Sequence, residues 1–212
     1  MNPIVICADI GSVKKGNFAW CDDRDVQGNT PSSLARHVAD SLNGGHAVAL
    51  GFECPLFVPL VEQEDSLTSA RPGEGCRAWS AGAGCGALAT GLVQVAWVLR
   101  QTHAWLQRSV TAHLKWEAFE AVGGLFLWEA FVSGVRKGDD HVADARLAVK
   151  AFDGALPHPQ AANAICCTSE VYSLIGAALL RTGWSSDLEL LKQPCLVVRP
   201  ERASRASQFQ KP

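Results

Sequence analysis

The chain has little net charge: 19 Lys and Arg stand against 21 Asp and Glu, a formal net charge of −2 over 212 residues. A dedicated DNA binder usually presents a strongly basic face, and no basic run supplies one here, so charge alone gives no nucleic-acid footprint. The start has no charged n-region followed by an apolar h-region, and the longest apolar stretch, "ALATGLVQVAWVL" (87–99), is shorter than the ~20 residues of a membrane span. A soluble cytoplasmic protein without a membrane partner is the expectation. None of the eight cysteines (7, 21, 54, 76, 85, 166, 167 and 195) belongs to a C-x-x-C pair, which removes the common zinc and thioredoxin-type motifs. Most sit in apolar runs and read as buried thiols in a reducing compartment. The glycine-rich "GAGCGA" (82–87) lacks the G-K-[ST] of a Walker loop and is not G-x-G-x-x-G after a strand, so it reads as a flexible entry to a helix. There is no internal repeat and no low-complexity tract.

What is present suits one domain over residues 1–200 with a sizeable core, since 48% of the residues are hydrophobic. "IVICAD" (4–9) predicts a strand covered on both faces, and "GNFAWCD" (16–22) a second strand paired with it as an antiparallel hairpin. A weak edge strand is placed around Val26. "TPSSLARHVADSLNGG" (30–45) has Thr30 as N-cap, Pro31 at the first helical position and a glycine pair as stop, the signature of a helix. "HAVALGFE" (46–53) returns as a strand. The segment 61–86, rich in Gly, Arg, Ser and Glu, is too long to be a plain connection. Further helices are expected at 87–108, 139–152 and 168–183, strands within 121–131 and 194–200, and a disordered tail at 201–212. This order gives an α/β mixed sheet, an antiparallel hairpin edge plus parallel strands, with helices on both faces. Ligands of such sheets sit beyond the carboxyl ends of the parallel strands.

Asp9, Glu53 and Glu129 all stand at or near such strand ends. A half-buried carboxylate must be paired or must hold a cation, and several converging ones favour a divalent ion. Oxygen-only ligands select Mg²⁺ or Mn²⁺. On the helix at 139–152, Val142, Ala145, Ala148, Val149 and Phe152 form an apolar sector at ~100° per residue, with His141 inside it and Asp144 at its edge. This spacing can present His141 or Asp140 together with Asp144 to one ion.

"ADIGS", "GFE" and "HVADA", in this order, resemble the three acidic positions of the RNase H-like superfamily. The nearest pattern is that of RuvC-type resolvases, with D-x-G-S on the first strand and an H/D-x-x-D-A motif on the last core helix. The chain also resembles bacterial families described as RNase H-fold nucleases, which share a Pro after the fourth-strand acid (here "ECPL", from Glu53) and a Glu ending the fifth strand (here "WEAF", Glu129). The resemblance covers roughly residues 3 to 155. It implies a metal-dependent nuclease or phosphodiesterase in which Asp9 and Glu53 share one ion, Asp144 with His141 or Asp140 holds a second, and Glu129 assists. The fourth ligand stays open between Asp140 and His141. Nucleic acid or another phosphoester would be the partner, with Ser12, Lys15, Arg71 and Arg77 as candidate substrate contacts and Trp79 a candidate for base stacking. A dimer is compatible with this pattern.

Each residue also has a plainer use. Asp9 can close the turn before Gly11. Glu53 can pair with Arg71 or Arg77, and those arginines can neutralise Glu62, Glu64 and Glu74. Asp139 and Asp140 suit a helix N-terminus, and a lone His141 is commonly packed or capping. A pocket that binds a nucleotide or anion without hydrolysis, and an interaction protein without catalysis, are the alternatives. Sugar kinases and actin-like ATPases share a similar Asp-x-Gly-Ser/Thr turn, but need two such halves, and 212 residues hold one.

Overall fold

The computed structural model describes residues 2–75, 78–132, 138–167 and 169–201; Arg77, Cys76 and nearly all of the expected tail lie outside them. β1 (Ile4–Asp9) is buried at all six positions, which is why it shows no polar alternation. It leaves through Gly11, where a Cβ would lie 2.0 Å from the Asn17 carbonyl oxygen, and a 3-10 turn over Val13–Lys15. β2 (Ala19–Asp22) returns antiparallel with Cys21 opposite Cys7, and β3 (Gln27–Gly28) adds a short edge.

α1 (Pro31–Asn43) begins as its sequence predicts: Thr30 Oγ accepts a hydrogen bond from the Ser33 N–H, and Pro31 opens the first turn. β4 (Val48–Glu53) then runs parallel to β1, and β5 (Phe57–Leu60) leaves the main sheet.

α2 (Gly82–Ala104) starts five residues earlier than the expected 87. The glycine-rich segment is thus its first turn, entered without a side-chain cap, rather than an approach to it. β6 (Ala112–His113) and α3 (Trp116–Val122) precede β7 (Leu125–Ala130); neither was anticipated, because both are too short for periodicity to register. α4 (His141–Ala155) follows.

The helix expected from 168 splits into β8 (Glu170–Ser173) and α5 (Leu174–Arg181). Val171 and Ser173 alternate inward along β8, which pairs with β5, and Ser173 Oγ caps α5 by accepting from Gly176 N–H. β9 (Leu196–Val198) closes the described chain.

The fold is α/β, with a mixed seven-stranded sheet in the order β3-β2-β1-β4-β7-β6 and β9 also lying on β7. The β1-β2-β3 edge is antiparallel, whereas β1, β4 and β7 run parallel. One face carries Ile4, Ile6, Leu50 and Phe52 against α1, α2 and α5; the other carries Val5, Cys7 and Trp128 against α3 and α4. Each large apolar side chain buried there contributes roughly 1.5–3 kcal/mol. On the α4 face a Cβ at Gly51 would lie 2.4 Å from the Trp128 ring, so glycine makes room for the indole, whose centroid lies 4.7 Å from that of Phe152 in a tilted pair.

Among the described residues α2 is the one helix long and apolar enough to cross a membrane. The expected 87–99 run is only part of it. Val95, Val98 and Leu99 on one side of α2 are buried, while Leu92, Val93 and Trp97 face outward.

Candidate metal centre

Strand register decides which acids meet. Parallel pairing sets Asp9 directly opposite Glu53, and paired residues point to the same face of a sheet. Both side chains therefore lie on the face that carries Cys7 and Trp128, where α4 packs. Glu129 pairs in register with Phe52. That single step of offset sends it to the opposite face.

α4 brings the third acid. Its N-cap is Asp140, whose carboxylate accepts the Ala143 N–H at 2.7 Å, so Asp144 falls in the first turn and is 4% exposed. One oxygen each of Asp9, Glu53 and Asp144 lies within 4.8 Å of the others. Mg²⁺–oxygen distances of ~2.0–2.1 Å put opposite ligands ~4 Å apart, so this spacing is that of one ion's coordination shell. The all-oxygen donor set suits a hard divalent cation, and the buried triad could hold one.

Neighbouring groups fix the carboxylates. His141 Nδ1 lies 2.5 Å from Asp9 Oδ2, with its ring 42% exposed. Gly138 N–H donates to Asp144 Oδ1. Between the two candidates for a fourth ligand, Asp140 is engaged in capping and His141 reaches Asp9. Gln94, missed from sequence, donates through Nε2 to the Gly11 carbonyl at 2.6 Å and anchors the turn that follows Asp9. Its signal was present: it is the only polar side chain in "GLVQVAWVL" (91–99).

A second buried group lies across the sheet. The Arg71 guanidinium, 1% exposed, grips Glu129 with both terminal nitrogens, Nη2 to Oε1 and Nη1 to Oε2. Nε and Nη2 also meet Glu74 Oε1, and Nη1 reaches the Phe57 carbonyl. Four of its N–H groups donate hydrogen bonds, and Nη2 also forms an ion pair with Glu74. Burial opposes the charged guanidinium, but the attraction and hydrogen bonds of Glu129 and Glu74 outweigh it and hold its pKa above the ordinary value. The ion pair suggested between Arg71 and Glu53 thus forms with Glu129 and Glu74 instead, and these partners commit Arg71 to the protein rather than to a substrate phosphate. Glu129 also accepts the Leu56 N–H.

A cavity of about 270 Å³ opens above both groups, lined among others by Asp9, Glu53, Glu129, Arg71, Trp79 and His141. Ser12 and Lys15 lie on the exposed 3-10 turn and are not among its lining residues; Ser12 uses its carbonyl to accept from Lys15 and Asn17 N–H. Cys54 also lines the cavity, and burial, with Glu129, Cys195 and Glu53 nearby, pushes its thiol pKa well up. It remains a neutral thiol, as do Cys7 and Cys195, whose pKa values burial also raises.

Comparison with protein-family models, with curated proteins and with solved structures finds no match to this chain.

Proposed function

We propose that the protein is a metal-dependent phosphodiesterase, a nuclease of RNase H-like type, using Asp9, Glu53 and Asp144 to hold Mg²⁺ or Mn²⁺. The observation that carries this reading is the convergence of three carboxylate oxygens within 4.8 Å at the carboxyl ends of two parallel strands. Three like charges in one buried site repel one another, and a divalent cation offsets that cost. The order of the motifs along the chain agrees with the resemblance noted above.

Such an ion polarises a phosphoryl oxygen and acidifies water. The chain's own residues prepare the site for it. β1 and β4 hold Asp9 and Glu53 side by side, Gly138 N–H orients Asp144, and His141 fixes the Asp9 carboxylate. His141 lines the cavity beside Asp9, where it can pass a proton toward a leaving oxygen. Arg71 offsets one of the two negative charges of Glu129 and Glu74, so the cavity floor keeps a net negative charge that a bound cation would have to outweigh before an anionic substrate could enter.

The test is Mn²⁺-dependent cleavage of single-stranded, duplex and branched nucleic acids. Wild type is expected to cut at least one of them, and Asp9→Asn and Glu53→Gln are expected to lose 100-fold or more. Activity that survives Asp9→Asn unchanged, or no cleavage of any substrate, rejects the reading. Binding of nucleotides without cleavage and without a metal effect would instead identify a non-hydrolytic pocket.

A further inference from the structure

Resting on that reading, we infer that the site accepts one nucleotide unit at a time, free or at a chain end, and excludes a continuous strand. The inference comes from the segment between β5 and α2, which walls the acidic site into a cavity.

Four separate contacts pin the described residues of this segment. The first is the Arg71 grip on Glu129, reinforced by Glu74, which also accepts the Arg71 N–H at 2.7 Å. Second, Gly73 sits where a Cβ would lie 2.1 Å from the Ala164 carbonyl oxygen, and its own carbonyl accepts from Arg199. Third, Ala78 rests on the first turn of α2, where a Cβ at Gly84 would lie 2.3 Å from its carbonyl oxygen. Fourth, the segment is tied to itself by Trp79 Nε1 donating to the Ser69 carbonyl and Ser80 Oγ to that of Thr68. These contacts join it to β7, to the 159–164 turn and to α2, so its position is set by the fold.

The cavity is partly open to solvent, and its volume of about 270 Å³ lies just below the ~300–1,000 Å³ typical of small-molecule sites, far below what a duplex would need. The lining is mixed in character. Asp9, Glu53 and His141 lie together, and Trp79, Phe131 and Val132 add apolar surface to the same lining. A ligand with a metal-seeking phosphate and a flat, apolar ring system matches both kinds of surface. A nucleotide has this chemistry, its base against the Trp79 indole, because every base offers a π-face for stacking.

Three substrates of one sequence family separate the possibilities with Mn²⁺ present: a dinucleotide, a linear single-stranded oligonucleotide labelled at each end, and the same oligonucleotide closed into a circle. The dinucleotide should be split, the linear strand shortened from an end, and the circle left intact. Trp79→Ala should raise KM for the dinucleotide about tenfold with kcat within about twofold, the size expected of one lost base stack, and Trp79→Phe should restore most of it. Cutting of the circle at the linear rate, or an unchanged KM in Trp79→Ala, overturns the inference while leaving the phosphodiesterase reading in place. Failure to cut any of the three overturns both.

Discussion

Two groups of buried carboxylates lie on opposite faces of the same sheet, and they settle their charge by different means. On the α2 face, Glu129 and Glu74 close around the buried Arg71 guanidinium. On the α4 face, Asp9, Glu53 and Asp144 bring three oxygens within 4.8 Å of one another, a spacing that could hold an ion. One residue of strand register separates the two outcomes, since Asp9 and Glu53 are paired directly while Glu129 pairs with Phe52. A strand-end acid is therefore not a functional acid by position alone. What counts is which face it takes and which cation that face provides.

Breaking the guanidinium side should have the largest effect. Arg71→Met leaves two buried carboxylates without their counter-charge, a loss of about 3–5 kcal/mol that a urea unfolding curve would show as a lower midpoint. Adding Glu129→Gln and Glu74→Gln to it should recover a large part, because no buried charge then remains uncompensated. A midpoint for Arg71→Met equal to wild type would mean the ion group carries no structural weight.

The acidic triad should respond to the ion instead. Wild type should gain about 2.7 kcal/mol when Mn²⁺ is present at a hundred times its dissociation constant, and Asp9→Asn should gain almost nothing. Thermal melts with and without the ion read both changes.

Cys54 lines the same cavity, and burial first, then Glu129, Cys195 and Glu53, raise its pKa. Cys21, also buried, is pushed up from 9.0 to about 11. A thiol whose folded pKa is raised contributes stability that is complete below its unfolded pKa and is lost as pH climbs through the folded value. Stability should therefore hold up to about pH 9 and decline by about pH 11. At pH 8, iodoacetamide should label the exposed Cys85 and Cys166 well before Cys54. Labelling of Cys54 at a similar rate would show that the cavity floor is more open than its burial indicates.

The smallest effect should come from Asp140. Asp140→Ala removes the α4 cap and should cost about 1 kcal/mol, with the Mn²⁺-induced stabilisation retained. Loss of that stabilisation would make Asp140 a ligand and enlarge the metal side of the comparison.

Much of this arrangement was legible before any coordinates. Strand-end positions of Asp9 and Glu53, the inward lean of Asp144 and the capping signals of α1 follow from local pattern, since burial and hydrogen-bond needs act over a few residues. The destination of Glu129 did not, because it depends on pairing between strands more than seventy positions apart in sequence. The role of Arg71 was hidden for the same reason: the sequence shows it near Glu74 but cannot show Glu129 within reach. "EVYS" reads as the start of a helix until β5 is placed beside it, and α3 and β6 are shorter than any periodic signal.

The direct pairing of Asp9 with Glu53, completed by Asp144, also says something about how the chain comes together during synthesis. The three ligands come from widely separated parts of the polypeptide, and long-range pairings of this kind form late. A chain leaving the ribosome N-terminus first holds two of them long before the third emerges. An ion bound there would be a signal of completion: tight binding would become possible only once α4 has docked, and its arrival would then hold together a sheet and helix that no shorter piece of the chain could assemble.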